Sequence, residues 1–569
     1  MRRYLYIMVD NMEFTPNMNN YYEEYKRFSL RVPEQFSFPL DVFDKWDNGM
    51  ALFWTDGKKE RKVSFKEMKI LSSKGAAVFK KIGINRGDKV LVMLPNIPEW
   101  WEVMLALMRL NAIPIPATTL LTSRDIGYRL SSAGIKAVVS TDEDAEKVED
   151  AVNSTSTNPL LIIINENNNP PFPPLPKRGE GGLFVERQGW HNYGKERDMA
   201  EAFAGERFSS EEPALLYFTS GTTGPPKMVL HTQSSYPLAH LLTGTYWLDL
   251  RPGDIHWNLS DTGWAKAAWS SLFGPWHRGA TVFSFYKKGK FDASLTTEIM
   301  HRYPITTFCG PPTAYRMMVK EIPERKFTFP SLRHFAAAGE PLNKQVIEVW
   351  KERTGRFIYD GYGQTETVNV LANFRCLPVK PGSMGVPVPG FTVDVVDEKG
   401  NPFPPHNAGE IAIKISPERP VGLFKEYLGN PAATGKTIQG EWYVTGDMAY
   451  KDESGYFWFI GRTDDIMLSS GYRIGPFEIE NVLIEHPAVK ESAVVASPDE
   501  IRGEVVKAFI VLTEGYMPSD VLADDLKNFV KKQTAPYKYP RKIEFVDELP
   551  KTISGKIKRK ELKMKEFGK

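Results

Sequence analysis

Between residues 60 and 165 the chain alternates two hydrophobic periods, and this alternation restricts its fold more than any other feature. VSFKEMKILSSKGAAVFKKIG (63–83) spaces its apolar residues for a helix, and VLVMLP (90–95) is a short apolar run. WWEVMLALMRLNAIPIPA (100–117) predicts a buried helix followed by a strand, and KAVVS (136–140) and LLIIIN (160–165) are further short runs. Short segments apolar on both faces belong to strands covered by helices from both sides, the habit of parallel sheets. The chain therefore reads as α/β, with largely parallel sheets.

Two interruptions organise the rest. NENNNPPFPPLPKRGEGG (165–182) is rich in Asn, Pro and Gly and reads as a surface insertion. α/β character then continues from 213 to about 460, punctuated by glycine-rich loops, until GRTDDIMLSSGYRIGPFEIE (461–480) opens a smaller α+β unit. In it EIENVLIEHPAV predicts a helix, SAVVASPD and VVKAFIVLT strands, LADDLKNFVKKQ a helix stopped by proline, and IEFVDELP a last strand before the basic tail KTISGKIKRKELKMKEFGK. The boundary is expected near Asp464.

At 569 residues the chain has room for several cored domains. Its 72 Lys and Arg against 70 Asp and Glu leave a net charge of +2. No global field draws it to nucleic acid or to an anionic membrane, so an anion site must be local. Cys309 and Cys376 lack C-x-x-C neighbours, which argues against a disulfide framework or zinc cluster. Cys309, inside ITTFCGPP, reads as a small core residue. Sparse cysteine fits a reducing cytoplasm. The apolar part of the N-terminal MRRYLYIMVDNMEF is too short for a secretory signal, and no run is long enough to predict a membrane span.

Four loops can carry chemistry. In YFTSGTTGPPKM (217–228) a strand end precedes Thr219, Ser220, Gly221, Thr222, Thr223, Gly224 and Lys227. The glycines permit positive φ and converging N–H groups, the hydroxyls add donors and the lysine adds charge, all suited to polyphosphate. In AAAGEPLN (336–343) Gly339, Glu340 and Pro341 follow an apolar run. IYDGYGQTETVN (358–369) sets Thr365 beside Glu366, a pair suited to Mg²⁺ held by one carboxylate together with substrate phosphates. In EWYVTGDMAYKDESGYFWFIGRTDD (441–465) Asp447 is a candidate acceptor for two ribose hydroxyls and Arg462 a donor to them. Taken singly, each reads as well as a turn, a capped helix or a surface ion pair.

Together, TSGTTGPPK, AAAGEPLN, YGQTET, YVTGD, GRTDD and PKTISGKIKR, in this order, resemble the adenylate-forming superfamily of acyl-CoA synthetases, peptide-synthetase adenylation domains and firefly-type luciferases. SDTGWAKAAWSSLFGPW, DGYGQTETV, SSGYRIGPFEIE and TAPYKYPRKIEFV resemble its medium-chain acyl-CoA synthetase branch. The resemblance implies a large N-terminal domain (1–463) of α/β subdomains with mostly parallel sheets plus a β subdomain, and a small mobile α+β C-terminal domain (464–569). It implies two half-reactions. A carboxylate attacks the α-phosphate of ATP to give acyl-adenylate and pyrophosphate; coenzyme A thiol then displaces AMP.

The resemblance also assigns residues. Residues 219–227 grip the β/γ-phosphates, Glu366 holds Mg²⁺ and Thr365 touches the α-phosphate. Gly339–Pro341 and Asp360, Gly361 and Tyr362 enclose adenine, with Tyr362 stacking and Gln364 alongside; Asp447 and Arg462 take the ribose. Lys556, on the Ser-Gly turn of ISGKIKR, bridges carboxylate and α-phosphate. Asp464 is the hinge about which the small domain rotates. Gly471, Tyr472, Arg473 and Gly475 then reach the active site, where Gly475 leaves room for pantetheine, and Arg473, Arg502, Lys531 and Tyr539 contact coenzyme A. Acetyl-CoA synthetases carry a Trp before Gln-Thr-Glu. Gly363 stands there in this chain and is expected to open space for longer or branched acids, with Trp264 and Gly339 as further pocket walls. The substrates expected are thus a medium-chain or branched carboxylic acid, ATP and CoA, in a cytoplasmic enzyme that can be oligomeric. A short-chain synthetase, a carrier-protein-loading enzyme and a regulatory protein without catalysis are the competing readings.

Overall fold

A computed structural model of the chain describes residues 15–165, 187–219, 226–323, 327–469, 472–499, 503–535, 538–552 and 556–568. The insertion expected at 165–182 falls outside them except for Asn165.

The alternating N-terminal segments build a five-stranded, all-parallel sheet. Its order is Ile113–Pro116, Lys89–Met93, Ile135–Thr141, Leu160–Ile164, Trp190–Asn192. Helix Phe65–Lys81 begins with a capping box, in which Ser64 Oγ accepts from the Glu67 N–H at 3.1 Å and the Glu67 carboxylate accepts from the Ser64 N–H at 2.7 Å. Helix Pro98–Arg109 is buried along its whole length, so its charges need internal partners. Glu102 accepts from Arg197 at 2.9 Å and from the Tyr193 hydroxyl at 2.8 Å, and Arg109 donates to Asp44 at 2.7 Å.

A nine-stranded sheet forms the second layer. Its six central strands are parallel, in the order Ile358–Gly363, His334–Ala337, Thr307–Gly310, Ile255–Asn258, Thr281–Phe285, Met50–Thr55. The carboxyl ends of His334–Ala337 and Ile358–Gly363 lie side by side, with Ala337 opposite Asp360. Crevices outside such ends are where open α/β sheets hold ligands.

Alternation by itself extends α/β character to about residue 460. The structure instead gives residues 393–462 to an antiparallel sheet of Val393–Val396, Gly409–Lys414, Trp442–Lys451, Ile438–Gln439 and Phe457–Arg462. This is the β subdomain that the resemblance implies. The turn Thr463–Asp465 leads from it into the small unit, where Val489–Asp499 and Gly503–Leu512 pair antiparallel and Lys542–Phe545 joins in parallel. That unit has its own core, including Met467, Ile479, Leu483, Val494 and Leu526. Two elements there were not read from sequence: the hairpin Met467–Ser469/Tyr472–Ile474, and helix Arg559–Glu566 within the basic tail. No helix among the described residues is long and apolar enough to cross a membrane.

Candidate active site

One cleft gathers the candidate residues. It runs from Thr219 and Lys227, past Gly339–Pro341, Asp360–Glu366 and Asp447, to Arg462, and it also receives Lys556 from the small unit.

At the expected phosphate end only Thr219 and Lys227 of the motif's polar residues are described. Thr219 does end a strand, but the strand is half of an antiparallel hairpin, Pro213–Thr219 with Lys227–Thr232, and Thr219 pairs with Lys227 across its open end. Ser220, Gly221, Thr222, Thr223 and Gly224, the body of the motif, lie outside the described residues. Strand Glu426–Tyr427 pairs with this hairpin and brings the Tyr427 ring to 4.6 Å from Lys227 Nζ.

The Tyr427 hydroxyl donates to Glu366 Oε1 at 2.7 Å, and the Phe424 N–H donates to the Glu366 carbonyl at 2.8 Å. Glu366 Oε2 accepts no hydrogen bond from a described residue, so it can offer lone pairs to a hard cation. Among the described residues no three His, Cys, Asp or Glu side chains form a metal cage. The donor set thus fits Mg²⁺ held by one carboxylate plus substrate oxygens. Thr365 is fixed through its backbone. His231 is buried, which pushes its pKa down to about 3, so it is neutral. Ser235 Oγ accepts from the Thr232 N–H at 2.8 Å, leaving its O–H to donate to His231 Nδ1 at 3.2 Å; Nε2–H then donates to the Thr365 carbonyl at 2.7 Å.

Asp447, the expected ribose acceptor, is held by hydrogen bonds from two residues. Its Oδ2 accepts from the Tyr362 hydroxyl and from Gln364 Nε2, each at 2.6 Å, while Arg462 Nη1 stands 3.4 Å from Oδ1. Gln364 also donates to the Thr445 carbonyl at 2.8 Å and accepts from the Tyr443 hydroxyl at 3.2 Å. Burial and the Asp447 charge push the Tyr362 phenol far above its ordinary pKa, so it stays a donor. The adenine-side residues sit around Gly339, whose φ of +103° favours glycine and whose missing side chain would meet nothing within 4 Å. Glu340 turns away, accepting from Thr313 at 2.6 Å and Arg316 at 3.1 Å. Asp360 is buried, which raises its pKa strongly.

The acyl side differs from expectation. A Cβ at Gly363 would lie 2.4 Å from the Val368 carbonyl oxygen and 2.6 Å from the Trp269 ring. The room expected beside Gly363 is already filled by an indole from a different element, held by its N–H to the Tyr236 hydroxyl at 2.5 Å. Trp264 lines the cleft, and so does Lys266, which motif reading passed over.

In the small unit Lys556 is exposed, on a turn closed by Thr552: the Thr552 N–H donates to the Lys556 carbonyl at 2.8 Å and the Lys556 N–H to Thr552 Oγ1 at 3.1 Å. Of its cationic neighbours, Lys551 pairs with Glu491 at 2.7 Å, Lys558 with Glu561 at 3.6 Å and Arg559 with Glu480 at 2.6 Å, while Lys560, like Lys556, has no ion pair among the described residues. The Lys556 amine has no carboxylate partner among the described residues. Asp464 sits in the connecting turn, 3.6 Å from Arg462. Gly475 packs on the large domain here, where a Cβ would lie 2.3 Å from Ile460. Lys531 and Tyr539 come together, Nζ 5.4 Å from the ring, and Arg541 donates to the Tyr539 hydroxyl at 3.0 Å. Gly471 and Arg502 lie outside the described residues, and Tyr472 and Arg473 are described only as backbone of the hairpin strand.

Residues 43–428 match the AMP-binding enzyme family and 478–556 match the AMP-binding enzyme C-terminal domain. The mouse mitochondrial acyl-coenzyme A synthetase ACSM3 is 46% identical, over 97% of this chain and 94% of its own. The human mitochondrial acyl-coenzyme A synthetase ACSM4 is also 46% identical, over 98% of this chain and 95% of its own. Among solved structures, an acyl-CoA synthetase of Brucella canis (31% identity) aligns with a TM-score of 0.72 over 97% of this chain and 99% of its own. The anthranilate CoA ligase AuaEII, solved with anthranoyl-AMP (27% identity), aligns with a TM-score of 0.80 over 93% and 97%.

Proposed function

We propose a mechanism and a substrate range from the premise that this chain belongs to the AMP-binding enzyme family and is an AMP-forming acyl-CoA synthetase, an acid–thiol ligase using ATP and CoA. The observation that carries the mechanism is a contrast within one cleft, which an interlocked acceptor, Asp447, and a cation without an ion pair among the described residues, Lys556, both line.

In this reading Asp447 and Arg462 hold the ribose, and the segments around Gly339 and Asp360–Tyr362 enclose adenine. The hairpin of Thr219 and Lys227 holds the terminal phosphates. Glu366 would hold Mg²⁺, which when bound would supply neutralisation of phosphate charge. His231 fixes the Thr365 peptide beside the α-phosphate. Lys556 meets the charge that develops as the carboxylate attacks, where a preorganised cation is most effective. The small domain, from Asp464 onward, then turns about that residue to admit coenzyme A near Gly475, with Lys531 and Tyr539 at its outer end.

The acid is a medium-chain or branched carboxylic acid. The indole of Trp269 beside Gly363 supports a second reading, a short-chain synthetase, because it closes the pocket on that side. AMP release with ATP and CoA over straight, branched and aromatic acids tests both. A peak at medium or branched acids is expected; a peak at propionate or butyrate establishes the second reading, and no CoA-dependent release with any acid rejects both. The compartment proposed is the reducing cytoplasm, in keeping with two free cysteines. The relatives' mitochondrial names make the matrix the alternative, which fractionation decides.

A further inference from the structure

The wall of the cleft contains an amine that the reaction, as derived above, does not use. Lys266 lies on the short helix Ala265–Ala268, and Trp269, three residues on in the continuing helical stretch, shares its face. That face presses Trp269 against Gly363, and it places Lys266 within electrostatic reach of Asp360, Glu340 and Cys309. Lys266 Nζ is sealed from solvent and has no hydrogen-bond partner among the described residues. Burial lowers its pKa, against the pull of these neighbours.

A buried amine without a partner is costly, and the surroundings do not supply one. Asp360 hydrogen-bonds the adjacent Gly361 N–H, Glu340 is turned to Thr313 and Arg316, and the Cys309 thiol is held up in pKa by burial. The phosphate-binding groups Lys227 and Glu366 are not among the charges that act on Lys266. Two indoles, Trp264 and Trp269, line the cleft beside it, and Asn258 Nδ2 donates to the Lys266 carbonyl at 3.4 Å. One donor in an apolar wall is how small-molecule sites fix orientation and select substituents.

We propose that Lys266 is a specificity-determining residue of the acyl pocket, selecting carboxylic acids that carry an uncharged hydrogen-bond acceptor, a hydroxyl or oxo oxygen, on the acyl chain. A second carboxylate fits less well, because the Asp360 and Glu340 carboxyls already bring negative charge to this part of the cleft. The proposal rests on the acyl-CoA synthetase reading and narrows its substrate. A pocket built around a hydrogen bond loses far more on its removal than an apolar pocket loses with a methylene.

The test compares kcat/KM for chain-matched triplets, a plain acid, its hydroxy or oxo derivative and the dicarboxylate, in the wild type, Lys266→Met and Lys266→Gln. The wild type is expected to prefer the substituted acid. Lys266→Met should lose at least tenfold on that acid, mostly in KM, while the plain acid is unchanged or improved; Lys266→Gln, which keeps a donor, should recover part of the loss. Equal losses on all three acids, a wild-type preference for the plain acid that survives in Lys266→Met, or preference for the dicarboxylate would overturn the proposal. If a variant is insoluble, the wild-type order alone decides, since a preference for the plain acid contradicts the assignment. Absence of activity with every acid in the wild type would instead reject the parent reading.

Discussion

The two sides of the cleft are built on opposite principles. On the large-domain side the groups expected to hold the nucleotide are fixed by others: Asp447 by Tyr362, Gln364 and Arg462, one Glu366 oxygen by Tyr427, and Thr365 by His231. On the small-domain side Lys556 is exposed, and only a backbone turn around Thr552 defines its place. The difference teaches a division of labour. Under the proposed mechanism, nucleotide binding uses groups that do not reorganise, whereas a cation needed in one half-reaction only sits on an element that can leave.

Substitutions should therefore behave differently on the two sides. The largest effect is expected from Lys556→Ala, a loss of about 10²–10³-fold in acyl-CoA formation measured as kcat, the range for removing one preorganised stabiliser of developing charge. ATP binding by calorimetry should hardly change. Asp447→Ala should do the reverse, raising KM for ATP. It also leaves the Tyr362 and Gln364 donors buried without their acceptor, at about 1–3 kcal/mol, visible as a lower Tm. Asp464→Pro, which fixes φ in the connecting turn, should slow thioester formation about tenfold or more while pyrophosphate exchange stays near wild type; equal slowing of both would place the pivot elsewhere. Smallest is Tyr427→Phe. It keeps the ring beside Lys227 but removes the hydrogen bond to Glu366, about 0.5–1.5 kcal/mol, and should raise the Mg²⁺ concentration needed for half-maximal ATP binding a few-fold.

Acidification sharpens the same contrast. His231, His240, His256 and His334 are buried in the large domain, with pKa values pushed below the ordinary 6.5 by burial, His231 and His256 to about 3. Below 6.5 the unfolded chain binds protons that the folded domain refuses, so stability falls as pH drops from 6.5 toward 3, by up to about 1.4 kcal/mol per histidine per pH unit. Fluorescence of the large-domain tryptophans should report this unfolding. A His256→Gln variant that still folds should show a shallower pH slope.

Much of this was legible in the sequence because motifs are local. Helix Phe65–Lys81, the parallel strands and the order of Asp360, Glu366, Asp447 and Lys556 follow from short stretches whose residues act together. What was not legible depends on pairing across distance. Tyr427 reaches Glu366 over 61 residues and His231 reaches Thr365 over 134, through strand registers that no local pattern announces. The reading of Gly363 as open space failed for the same reason: a glycine removes its own side chain but cannot say that Trp269, from another element, fills the gap.

The central claim is that Lys556 serves one half-reaction only. Single-turnover kinetics of Lys556→Ala, with acyl-adenylate formation followed from ATP and acid and thioester formation followed from supplied acyl-AMP and CoA, test it most directly. Adenylate formation should fall about a hundredfold or more while thioester formation stays within a few-fold of wild type. Equal losses in both steps would contradict the account.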